Sequence, residues 1–167
     1  MKSLDDETLQ RAYRYAMSLS NDHDLAKDLV HSAYVKVLEK HTGHVDNLHY
    51  YFLRTIRNVF IDHMRLDKRW SMIVDDDEEA KNNTVDMTVD TLESITINQN
   101  ILATLWLEFT AEERELLYLW AIEEYTMKEI SELTDIPRGT LLSRVHRIRK
   151  KVASKNISEG IEYEQTH

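Results

Sequence analysis

The chain has 167 residues, enough for one domain or two small ones, with 30 acidic and 21 basic side chains and a net charge of −9. It contains no cysteine, three glycines and one proline, which excludes a disulfide framework and a thiolate metal site and leaves little turn chemistry for a β-rich fold. Charge is unevenly spread: residues 71–110 hold nine acidic groups and one basic, whereas residues 1–70 hold eleven basic and ten acidic, so the global acidity does not exclude nucleic acid.

In chain order, helical periodicity appears first over 5–19, with Leu9, Tyr13, Ala16 and Met17 on one face. A second helix is expected over 22–40, where Leu25, Leu29, Ala33 and Val37 recur every fourth residue and Asn21 or Asp22 can cap the start. Gly43 breaks the chain. A third helix over 47–65 has Leu48, Phe52, Ile56, Val59 and Phe60 as its inner stripe, with Arg54, Arg57, Arg65, Lys68 and Arg69 outside it or just past its end. Residues 71–95, with an acidic cluster at 75–79 and no helical period, read as a flexible acidic linker.

The C-terminal half begins near residue 96 with an apolar run. Thr110 followed by Glu113, and Thr126 followed by Glu129, are capping boxes that open two helices, the first through Ile122 and the second through about Leu133. Asp135, Ile136 and Pro137 form the turn into a last helix that reaches about Ser154. Six basic residues and no acidic one lie from Arg138 to Lys151. At ~100° per residue, Leu141, Val145, Ile148 and Val152 share a buried arc. Ser143, His146, Arg147 and Lys150 point the opposite way, with Arg144 and Lys151 on one edge and Arg138 and Arg149 on the other. A helix-turn-helix with an outer face of donors suits the major groove, where Arg pairs with guanine and flanking cations hold phosphates. The fold class is all-α: two small helical domains joined by a flexible acidic linker, the C-terminal one a helix-turn-helix.

The N-terminal sequence DLAKDLVHSAYVKVLEK, then YFLRTIRNVFIDHMRLDKR, resembles region 2 of bacterial sigma factors, and FTAEERELLYLWAIEEYTMKEISELTDIPRGTLLSRVHRIRKKV resembles region 4. Length and the missing intermediate domain point to the extracytoplasmic-function (ECF) group of the sigma-70 superfamily. The resemblance implies region 2 at 1–70, a linker at 71–95, region 4 at 96–155 and a tail at 156–167. It implies core RNA polymerase and promoter DNA as partners, with contacts to the β′ clamp helices and the β flap. The clamp contact falls to Asp28, Leu29, Val30, His31, Ser32 and Tyr34; the family usually has an acidic residue at the position of Ser32 and often Gln at that of His31. Recognition and melting of the −10 element fall to Arg54, Arg57, Asn58, Asp62, Arg65, Lys68 and Arg69, with Tyr50, Tyr51 and Trp70 as candidate stacking faces. Recognition of the −35 element falls to Arg138, Thr140, Leu142, Ser143, Arg144, His146, Arg147 and Lys150. Many relatives carry Lys or Arg where this chain has Leu142, and Gly is common where it has Asp135. An anti-sigma factor or another regulatory or recruiting protein is a further candidate partner.

The rival reading is a stand-alone helix-turn-helix repressor or activator, which would not need the arginine-decorated third helix. No P-loop, HExxH or nucleophile elbow marks an enzyme, and no cofactor or metal is implied, His41, His44 and His49 lacking firm ligand spacing. No apolar run approaches the ~20 residues of a membrane span, and the first residues lack a signal peptide's apolar region, so a cytoplasmic protein is expected.

Overall fold

The computed structural model describes residues 4–40, 47–67 and 105–158. Among these there are six α-helices and no strand: α1 Asp6–Ser20, α2 His23–Lys40, α3 Leu48–Leu66, α4 Ala111–Ala121, α5 Met127–Thr134 and α6 Arg138–Ser158. The expected linker lies outside the described residues.

Each helix start has a local cause. The Asp5 side chain accepts from Thr8 N–H at 2.8 Å and opens α1. Of the two caps expected for α2, Asp22 takes the role, accepting from Leu25 N–H at 2.8 Å. Asn21 instead closes α1 in the left-handed region at φ 49°. Asn47 caps α3 through Tyr50 N–H at 2.9 Å. Both capping boxes form reciprocally, Thr110 with Glu113 and Thr126 with Glu129. Pro137 sits just before the first helical residue of α6, which runs four residues past the expected end, to Ser158.

The stripe of α6 is buried as expected at Leu141, Val145, Ile148 and Val152, and that of α2 at Leu29, Ala33 and Val37, while Leu25 in the first turn of α2 is only half-buried. The inner stripe of α3 gains Leu53, which is fully buried. On α1 the expected face is not the deepest. Leu9, Tyr13 and Met17 are half-buried, whereas Ala12, Tyr15, Ala16 and Leu19 are buried. The reason is tertiary: α1 packs on α2 and α3 and also on α4, so it is covered from two sides. The α3–α5 contact adds a second junction, and buried residues of both halves form one hydrophobic cluster.

Candidate nucleic-acid interfaces

Helices α5 and α6 form the helix-turn-helix. Asp135 adopts the left-handed conformation at φ 57°, which a short polar side chain tolerates better than most. Ser131 Oγ donates to Ile136 O at 2.6 Å and pins the turn. On α6, His146, Arg147, Lys150 and Arg138 are exposed, while Thr140, Leu142 and Ser143 are half-buried. Arg144 corrects the expectation: it is 6% exposed. At ~100° per residue it stands about 40° beyond Ile148, the outermost residue of the apolar arc on that side, so it holds the expected edge but is covered there rather than presented outward. Lys151 Nζ donates to Glu113 Oε2 at 2.6 Å and to Glu108 O at 3.1 Å, so it ties α6 to the start of α4.

On α3, Arg54, Arg57, Asn58, Asp62 and Arg65 line one cleft of about 570 Å³. Lys36 and Lys40 of α2 complete it, four residues apart on one helix face, a spacing that could have flagged them. Tyr51 lines the same cleft, whereas the ring of Tyr50 lies 6.2 Å from that of Tyr125. Asp62 lies 3.8 Å from Arg65, one helical turn away. Lys68, Arg69 and Trp70 fall outside the described residues. The far wall of the cleft is Thr134 and Asp135 of the helix-turn-helix.

The outer face of α2 exposes Asp28 and His31, with Val30, Ser32 and Tyr34 half-buried. Leu29 is 2% exposed, so it packs in the core and does not present a contact surface. Val35 and Leu38, absent from the expected set, are exposed apolar side chains on the same helix.

A polar seam that no sequence pattern marked joins the halves. Glu115 Oε1 accepts from Tyr15 Oη at 2.5 Å and from Arg57 Nε at 2.9 Å. Glu123 Oε2 takes Arg11 Nη2 at 2.6 Å and His49 Nε2 at 2.8 Å. The Glu115 and Glu123 side chains are 4% and 0% exposed. Burial pushes the Glu123 carboxyl up, but hydrogen bonds from His49 and Arg11 outweigh it and hold the group below the usual carboxylate value. Burial beside Glu115 drives the Tyr15 hydroxyl well above its ordinary value, so it remains a donor. Arg114 donates to Ser18 O and Leu19 O of α1 and to Phe109 O. Arg54 Nη2 reaches Asp135 Oδ2 at 3.0 Å. His49 is thus held at this seam, and among the described residues no three potential ligands gather as a metal site.

The arrangement offers one helix with an exposed basic face and one cation-lined cleft. The sigma-70 region 2 family matches residues 4–70, and the sigma-70, region 4, family matches residues 101–152. ECF RNA polymerase sigma factor SigM of Bacillus subtilis is 25% identical over 142 residues, 84% of this chain and 85% of that one. The chain belongs to the ECF sigma factors. Region 2 of this sigma factor therefore carries α1–α3, and region 4 carries α4–α6. The fold of the sigma factor RpoE, co-crystallised with the anti-sigma factor NepR from Bartonella quintana, superposes with a TM-score of 0.61 at 23% identity, covering 89% of this chain and 91% of that one. None of the described helices is long and apolar enough to cross a membrane.

Proposed function

We propose that this sigma factor binds core RNA polymerase and directs promoter-specific initiation, with α6 reading the −35 duplex and the α3 cleft receiving the melted −10 strand. The observation that carries the reading is the pairing of two cationic surfaces of different shape on one chain. The exposed face of α6 presents Arg138, His146, Arg147 and Lys150, with Thr140, Leu142 and Ser143 beside them. That is a convex face for a major groove, where Arg pairs with guanine O6 and N7 and Leu142 meets a thymine methyl. The α3 cleft is concave and holds Arg54, Arg57, Arg65, Lys36 and Lys40 around Asn58 and Tyr51. A concave cationic groove with an aromatic face suits a single strand better than a duplex. A stand-alone repressor needs the first surface and has no use for the second.

In this reading Asp28, Val30, His31, Ser32 and Tyr34 of α2 meet the β′ clamp helices, with the exposed Val35 and Leu38 adding apolar area and Leu29 holding the helix in place. Region 4 rests near the β flap, and a regulatory protein such as an anti-sigma factor competes for these surfaces. The chain recognises and opens DNA, and polymerisation chemistry belongs to the core enzyme.

Purified core RNA polymerase tests this directly. The expected result is co-elution, with promoter-specific run-off transcripts from a genomic fragment library. Tight sequence-specific binding by the free protein without core association selects the repressor instead. Within the holoenzyme, Arg147→Ala is expected to cost about 1–3 kcal/mol of discrimination at one or two −35 positions. Unchanged −35 preference in a randomised-promoter selection removes Arg147 from the reading surface.

A further inference from the structure

We propose that α2 holds the melted strand as well as core polymerase: Lys36 and Lys40 form a pair that grips the strand's phosphates without regard to base sequence. The proposal deepens the reading of the α3 cleft and rests on it. The family resemblance gives α2 the polymerase contact alone.

Three observations converge on it. The first is which charges in the cleft are matched. Its lining carries Lys36, Lys40, Arg54, Arg57 and Arg65. Each arginine has a carboxylate: Asp135 for Arg54 at 3.0 Å, Glu115 for Arg57 at 2.9 Å and Asp62 for Arg65 at 3.8 Å. Neither lysine has an ion-pair or hydrogen-bond partner among the described residues. The second is their spacing. Side chains four residues apart on a helix have Cβ atoms ~5–6 Å from each other, and like charges so placed destabilise it. A cation in the last turn complements the helix dipole, which accounts for Lys40 at the end of α2. It does not account for Lys36, a full turn earlier. An anion seated between the two relieves the repulsion.

The third is direction. At ~100° per residue the core residue Leu29 bisects the lysines, ~20° from each. They therefore continue the buried stripe of α2 into the cleft. The exposed Val35 and Leu38 of the polymerase face stand ~100–160° away. One helix thus has separate faces for polymerase and for DNA, and docking the first positions the second. The same lining offers Tyr51 as a stacking face, and single-strand sites combine such a face with cations along the backbone. Lysine is a compact point charge without the planar fork with which arginine reads a base, so it suits a phosphate.

Holoenzyme assembled from core polymerase and the full chain tests this with two fluorescent single strands of equal length, one of mixed bases and one abasic. Anisotropy titrations give the slope of log affinity against log salt. Each phosphate contact on a single strand contributes ~0.7 to that slope, so Lys36→Gln with Lys40→Gln is expected to flatten it by about 1.4, a loss of about 25-fold at roughly 0.1 M salt relative to 1 M. The loss is expected to be equal for both strands. Lys36→Arg with Lys40→Arg is expected to restore the slope. The melting temperature of the free Gln variant is expected to hold or rise, since a like-charge pair is gone. An unchanged slope overturns the proposal, as does a loss confined to the mixed-base strand, which makes the lysines base readers. Weaker core association of the Gln variant also overturns it, by returning the lysines to the polymerase face. If the double variant loses helix, Lys40→Gln alone decides: a flattening of about 0.7 supports the pair and none overturns it. Promoter-specific transcription by the unsubstituted holoenzyme is scored separately. Specific transcripts with an unchanged slope keep the −10 reading and sink the phosphate pair. A flattened slope without specific transcripts keeps the pair and sinks the −10 reading. A chain that never binds core loses both.

Discussion

Replacing Arg114 with Met lowers the unfolding free energy by about 3–5 kcal/mol, since the guanidinium serves three otherwise unmatched carbonyls at ~1–1.5 kcal/mol each. Its Nε donates to Ser18 O at 2.8 Å, Nη2 to Leu19 O at 3.3 Å and Nη1 to Phe109 O at 2.6 Å. The first two are among the last four carbonyls of α1, which have no partner within their own helix. A cation at that end also complements the helix dipole. Burial pulls the Arg114 pKa below the usual guanidinium value, yet the group remains charged. Methionine fills the volume of the side-chain stem and strands all three acceptors in a site that is 8% exposed. Because α1 and α4 meet here, the loss also uncouples the halves. Urea unfolding followed by far-UV circular dichroism is expected to show one transition for the unsubstituted chain and two for Arg114→Met. Lys128→Met, on an exposed position, serves as control and stays within about 0.5 kcal/mol. A single transition at unchanged midpoint in Arg114→Met overturns the account of this junction.

The contrast between Arg114 and the helix caps explains what could be read from the sequence. Capping boxes at Thr110 and Thr126, the Asp135 turn and the stripes of α2 and α6 depend on residues within a few positions of one another, so pattern and geometry coincide. The outward face of α6 was legible for the same reason, as was the clustering of Arg54, Arg57, Asn58, Asp62 and Arg65, which a single helix brings to one cleft. Arg144 stands at the edge of the apolar arc as expected, and its burial there was not legible because an angular position on one helix does not show what packs against that edge. The seam was illegible. Its partners are 58 to 112 residues apart: Arg57 with Glu115, and Arg11 with Glu123. Glu113, Arg114 and Glu115 form a charged run that reads as a solvated face, yet all three are buried. Residues 113–119 of α4 are buried without interruption, since α4 packs on both α1 and α6, and periodicity cannot mark a helix covered on several sides.

Arg57 is where the seam and the proposed promoter surface meet, and its removal is expected to act on both. In the free protein, Arg57→Ala leaves Glu115 Oε1 with the Tyr15 hydroxyl alone, in a side chain that is 4% exposed. Taking one partner from a buried ion pair costs about 3 kcal/mol, so the junction between the halves weakens. In the holoenzyme the same change removes a cation from the −10 cleft. A charged hydrogen bond worth roughly 1.5–3 kcal/mol corresponds to a drop of about tenfold or more in strand opening. Glu115→Gln weakens the same pair from the other side but leaves the guanidinium available to DNA. Both substitutions are thus expected to lower the urea midpoint of the free protein. Only Arg57→Ala should reduce permanganate reactivity of the −10 bubble and run-off transcript yield. The double variant should show a coupling of more than about 1 kcal/mol in unfolding and no transcriptional recovery, because loss of the carboxylate cannot restore a missing cation. If Arg57→Ala opens promoters as well as the unsubstituted protein, Arg57 belongs to the seam alone, and the cationic work of the cleft passes to Arg54, Arg65, Lys36 and Lys40.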